Sequence, residues 1–149
     1  MGMGAAACHT NVISVDTLEK VIPLEYKTFI GKCKEVGIDC EDAYEMSKFE
    51  QGEAEELDFP NKGKDEKADE IAISDLEGIY CALQENFTEK TGLYINVNGH
   101  SDEEGGRYDE VMGVYWEVAT ITQRTPEAIA FEKQYGKNCI KPVSFTIWC

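Results

Sequence analysis

The feature that most constrains the fold is a change of hydrophobic period at Gly92. Before it, Leu76, Ile79, Tyr80, Leu83 and Phe87 fall at offsets that place them on one face of a helix. After it, Leu93, Ile95 and Val97 alternate with Tyr94, Asn96 and Asn98. Met112, Val114, Trp116 and Val118 then alternate with Gly113, Tyr115 and Glu117. A period of two marks strands with one buried face. The segment between them, Gly99 to Asp109, is rich in Gly, Asp and Glu, so an antiparallel hairpin with a long acidic tip is expected.

The remaining elements follow from their punctuation. Residues 1–13 are small and polar, expected to be a flexible arm or a short strand ending at Ile13, and the pattern turns helical from Ser14. Pro23 suits a first helical position and Gly37 a left-handed cap, which predicts a helix over 23–36. Asp39 reads as the N-cap of a second helix with a weak stripe of Ala43, Met46 and Phe49 ending at Gly52, so the two should form a helical hairpin. From 51 to 70 the apolar residues nearly vanish apart from Leu57 and Phe59, which predicts an acidic mobile loop. Ser74 and Glu77 match a capping box at the start of the 76–87 stripe. Thr125 and Pro126 open another helix with Ala128, Phe131 and Tyr135 inward and Gly136 as its stop, and a last strand runs from Val143 to Trp148 with Val143, Phe145 and Ile147 on one face.

Helices first and then β-β-α-β argue an α+β domain: an antiparallel sheet, including the long-tipped hairpin, backed by three to four helices. At 149 residues the whole chain is one domain's worth of material, able to bury about 68–70% of its unfolded surface. The expected core comprises Ile30, Leu76, Ile79, Leu83, Phe87, Ile95, Val97, Val114, Trp116, Phe131, Phe145 and Ile147. Six cysteines are scattered with no Cys-x-x-Cys pair and read as reduced thiols, mostly small buried hydrophobes. No apolar run reaches the length of a membrane helix, and no basic-then-apolar leader opens the chain, so a cytoplasmic protein is expected.

Charge narrows the function classes. The formal net charge is −15, a field that repels phosphate backbones and anionic lipid heads, so neither direct nucleic-acid nor membrane binding is expected. Residues 39–70 alone hold 13 carboxylates against 4 lysines. The hairpin tip adds Asp102, Glu103, Glu104, Asp109 and Glu110 against Arg107. Such a face suits a basic protein partner, which it could inhibit or neutralise as an immunity protein or nucleic-acid mimic does. The residues assigned to it are Glu53, Glu55, Glu56, Asp58, Asp102, Glu103, Glu104, Asp109 and Glu110, with Tyr94 and Tyr115 as aromatic anchors. The bland alternative is a solvated, solubilising surface.

Catalytic readings are thinner. The 99–110 tip has the oxygens for calcium or for a small hydrolase site around His100, Ser101, Asp102 and Asp109, but its spacing fails the helix-loop-helix calcium template. Adjacent groups in one turn rarely converge on a substrate atom. Cys8-His9 lacks ligand-spaced partners, and no phosphate-cradling glycine motif is present. A non-enzymatic protein with no cofactor is the expectation.

Overall fold

The computed structural model describes residues 5–100, 113–118 and 125–148, with side chains for 9–99, 114–118 and 125–143. Its order is β1 (Ala5–Ile13), α1 (Val15–Val21), α2 (Pro23–Val36), α3 (Ala43–Gln51), a 3-10 turn (Ala54–Glu56), α4 (Glu66–Thr91), β2 (Ile95–His100), β3 (Gly113–Val118), α5 (Pro126–Tyr135) and β4 (Ile140–Trp148). The four strands form one antiparallel sheet in the order β2-β3-β1-β4, so the fold is α+β.

Of the arm and the short strand ending at Ile13 expected for residues 1–13, the strand is the one observed, over Ala5–Ile13. It pairs with β4 from Ala5↔Trp148 to Ile13↔Ile140 and with β3 at Val12↔Glu117 and Ile13↔Trp116. Pairing with β4 along its whole length, and with β3 at its end, engages its backbone groups, so its small side chains do not prevent strand formation. The hairpin register is as expected, with Ile95 opposite Val118 and Val97 opposite Trp116. All four of these residues are buried, and a slip of one residue would have exposed them.

The helices cover that buried face. α2 packs against α4, whereas α3 lies along β2 and reaches β3, so the expected hairpin of α2 with α3 does not form. α3 approaches the strand so closely that a Cβ on Gly99 would stand 2.5 Å from the Ala43 carbonyl oxygen and 2.7 Å from its Cα. Phe29, Phe49, Tyr80 and Trp116 form a ring cluster with centroids 5.2–6.4 Å apart. Fully burying one such ring as Phe29 is buried contributes about 1.5–3 kcal/mol. Phe131 of α5 packs on Phe87.

The expected core is largely observed: Leu76, Leu83, Phe87, Ile95, Val97, Trp116 and Phe131 are buried, and Ile30, Ile79 and Val114 are half-buried against them. Phe145 and Ile147 lie outside the described side chains.

Three boundaries move. α3 is capped by Asp42, whose Oδ1 accepts from the Tyr44 and Glu45 amides. Asp39 instead accepts from the Glu41 amide in the preceding turn. α4 starts at Glu66 rather than near Ser74, because Asp65 Oδ1 accepts from the Ala68 amide and caps it there. Ser74 is an exposed position inside the helix. The first turns of α4 carry an exposed Ile71 and a half-buried Ile73, so the apolar stripe begins well after the helix does. β4 likewise starts three residues earlier than expected, at Ile140.

The edge of β2 is closed by polar side chains. The Val97 amide donates to the Tyr80 hydroxyl at 3.0 Å, and Gln84 Nε2 donates to the Ile95 carbonyl at 2.9 Å. Tyr80 in turn donates to Glu50 Oε2 at 2.7 Å. Backbone groups that could template pairing with another chain are thereby occupied.

Candidate functional site

In the segment expected as a loop over 51–70, residues 57–65 have no helix or strand, and the flanks are built into other elements. Gln51 closes α3, residues 54–56 form the 3-10 turn, and 66–70 belong to α4. Its few apolar residues are anchors: Ala54, Leu57 and Phe59 are 4%, 0% and 8% exposed. The carboxylates between them, Glu53, Glu55, Glu56 and Asp58, are all exposed. Alternation of buried anchors with outward acids holds the acids at fixed places on the surface, which a free loop would not do.

Internal bonds complete this arrangement. Lys48 is 5% exposed; its ammonium donates to Glu45 Oε1 at 2.7 Å and to the Glu56 carbonyl at 2.8 Å. Glu45 Oε2 accepts from the Asp58 amide at 2.9 Å. Lys62 donates to the Glu55 carbonyl at 3.0 Å and to that of Leu57. Two of the four lysines in 39–70 are thus bonded to backbone carbonyls of the acidic segment. Burial pulls the Lys48 pKa down, but the Glu45 carboxylate, with Tyr44 and Glu56 nearby, outweighs it and leaves the ammonium above its ordinary range.

Beside these bonds lies a hollow of about 470 Å³ lined by Gly37, Asp39, Asp42, Glu45, Asp58, Phe59, Pro60 and Lys62. Four carboxylates and one ammonium border it. Of the four, the sequence singles out only Asp58 for a partner surface; Asp39 reads there as an N-cap. A second residue escaped notice. Tyr44 is 69% exposed, and the Lys48 ammonium lies over its ring, 4.6 Å from the centroid. Its signal was its place off the Ala43–Met46–Phe49 stripe.

The other expected site residues divide. Tyr94 is 62% exposed and borders a shallow hollow with Gln84, Glu85, Thr88 and Glu89 of α4. It belongs to a different part of the surface from the 53–58 segment. Tyr115 is half-buried on the sheet, opposite Asn98. Asp102, Glu103, Glu104, Asp109 and Glu110 lie outside the described residues, as does nearly all of the 99–110 tip considered for calcium or hydrolysis. Among the described residues no group of three or more His, Cys, Asp and Glu side chains is arranged to hold a metal ion, and no helix is long and apolar enough to cross a membrane.

Comparison with protein-family models, with curated proteins and with solved structures finds no match to this chain.

Proposed function

We propose that the protein is a non-enzymatic acidic binding module that inhibits or neutralises a basic protein partner through the surface made by the 37–42 turn, α3 and the 53–58 segment. The observation that carries this reading is the hollow walled by Asp39, Asp42 and Asp58, with Glu45 at its side tied inward to Lys48 and the Asp58 amide, beside the anchored row Glu53, Glu55 and Glu56. A hollow of this size and sign suits an arginine or lysine side chain, since guanidinium and ammonium groups bring the donors that carboxylates lack. Tyr44 supplies an exposed aromatic ring at the same surface, the type of residue that anchors interfaces. The long-range field of a chain with net charge −15 would steer a cationic partner toward it.

The test is affinity capture from the native host at low and high salt, followed by association kinetics with the captured protein. The expected partner is basic, and its on-rate falls steeply as salt rises. Reversing Glu53, Glu55, Glu56 and Asp58 to Lys together should abolish capture, and Tyr44→Ala should raise the off-rate. A partner indifferent to salt and to these reversals would show that the acidic surface only solubilises.

A further inference from the structure

The 37–42 turn borders a second concavity. Gly37 ends α2 in the left-handed conformation, at φ 100°, and the Cys33 carbonyl accepts from the amides of both Gly37 and Ile38 at 2.9 and 2.8 Å. A Cβ on Gly37 would stand 2.7 Å from Pro60 Cδ, so the turn is clamped between the end of α2 and Pro60. Besides the hollow, Ile38, Asp39, Cys40 and Glu41 border a cleft of about 710 Å³. Its deepest lining residues, Ile38, Met46 and Trp116, are 3%, 1% and 2% exposed, whereas Tyr26, Ile30 and Val114 are half-buried and Val15 is 42% exposed. The Tyr26 ring stands edge-on to Trp116, with centroids 6.3 Å apart. Asp39 borders both the cleft and the hollow, so the two are neighbours.

The lining is suited to binding and not to chemistry. Cys40 Sγ donates to the Ile38 carbonyl at 3.9 Å, and burial, the first cause, raises the pKa of both Cys40 and Tyr26, so both stay protonated. What the cleft offers is apolar surface. Pockets that hold small molecules run to about 300–1,000 Å³, so one of about 710 Å³ has room for more than one side chain. Charge selects the occupant. Asp39 and Glu41 border the cleft against Lys34, and the hollow adds Asp42 and Asp58, so a cationic chain is favoured beside the apolar surface. A second copy would bring a net charge of −15 to the same acids.

We infer that the cleft receives apolar side chains, an aromatic one foremost, of the same basic partner segment whose cation enters the hollow. One amphipathic stretch of the partner thus spans both concavities, its apolar anchor against Tyr26 and Trp116 and its arginine or lysine among Asp39, Asp42 and Asp58. The inference rests on the reading of the hollow as a cation site. Charge steers the partner in, and the cleft decides which cationic chain stays.

The test titrates the nitrogen-15-labelled full chain with a panel of capped peptides, each holding one arginine and one phenylalanine in an alanine–serine background. With one to four residues between the two, at about 3.3 Å per residue, the panel covers about 7–17 Å. The expected result is a member that shifts the Trp116 indole resonance and binds about tenfold more tightly than its counterparts lacking the phenylalanine or the arginine. Val15→Arg, at an exposed lining position, should weaken that binding about tenfold by placing a like charge at the cleft. Asp58→Lys should remove only the part of the affinity that depends on arginine. Should Val15→Arg not fold, the wild-type panel decides alone. Binding that ignores the phenylalanine and leaves the Trp116 indole unmoved would overturn the inference and leave the cation reading of the hollow intact. Binding that ignores both the arginine and Asp58→Lys would overturn that reading, and the inference with it. Absence of any binding below about 1 mM, or a dimer that itself shifts the Trp116 indole as protein concentration rises, would also overturn the inference.

Discussion

Residues 45–58 use carboxylates in two opposite ways. Glu45 and Glu50 point inward: Glu45 bonds the Lys48 ammonium and the Asp58 amide, and Glu50 receives the Tyr80 hydroxyl that closes the edge of β2. Glu53, Glu55, Glu56 and Asp58 point outward on a backbone pinned by Ala54, Leu57 and Phe59. The first pair holds the surface together and the second set forms it. A count of charges treats all six alike, whereas burial and hydrogen bonding decide which remain available to a partner.

Removing the cation of the inward set should break this comparison most sharply. Lys48→Met leaves the Glu45 carboxylate, 13% exposed, without its partner and frees the Glu56 carbonyl. The expected loss is about 3 kcal/mol in chemical denaturation, as for one half of a buried pair. The same pair has a pH signature. Because the Lys48 pKa is raised in the folded state, its contribution is fully present below the unfolded value of about 10.4. It is lost as pH rises through the folded value. The alkaline fall in the denaturation midpoint should be shallower in Lys48→Met than in the wild type, the remainder coming from Tyr26, Tyr80, Cys33 and Cys40, whose pKa values burial also raises.

Next in size is Tyr80→Phe, which strips the Val97 amide and the Glu50 carboxylate of their shared partner. The expected cost is about 1–3 kcal/mol. Exposing the β2 edge should also promote self-association, readable by sedimentation.

The outward set should behave the other way. Glu53, Glu55, Glu56 and Asp58 changed together to Lys move the net charge from −15 to −7, yet each substitution should alter stability by no more than about 0.5 kcal/mol. Association with a cationic partner is where their loss should register. The smallest effect is expected from Asp75→Asn, which removes an exposed α4–α2 ion pair of 3.7 Å to Lys32. A change under about 1 kcal/mol, weaker still in high salt, is expected.

Much of the architecture was legible in the sequence because it rests on local rules. The period change at Gly92 located α4 and the β2–β3 register. Pro23 with Gly37 bounded α2, and Thr125 with Pro126 opened α5. These signals are carried by neighbouring residues and by φ angles that only certain residues adopt comfortably, so they survive without tertiary context. Where the sequence leaves two readings open, the deciding interaction is remote. Of the arm and the strand it allows for residues 1–13, the strand forms because β4 pairs along Ala5–Ile13 and β3 pairs at Val12 and Ile13.

The candidate site was legible as a composition but not as a geometry. Sequence alone determined that residues 39–70 are strongly acidic, that Leu57 and Phe59 are isolated apolar residues among them, and that Gly37 ends the helix before them. Tertiary structure decided that those two side chains reach the core, and that Glu45 and Glu50 turn inward while Asp39, Asp42 and Asp58 meet around one hollow. The reason is physical. Periodicity and capping depend on residues a few positions apart, whereas a carboxylate's availability depends on which donors the folded chain brings to it from elsewhere.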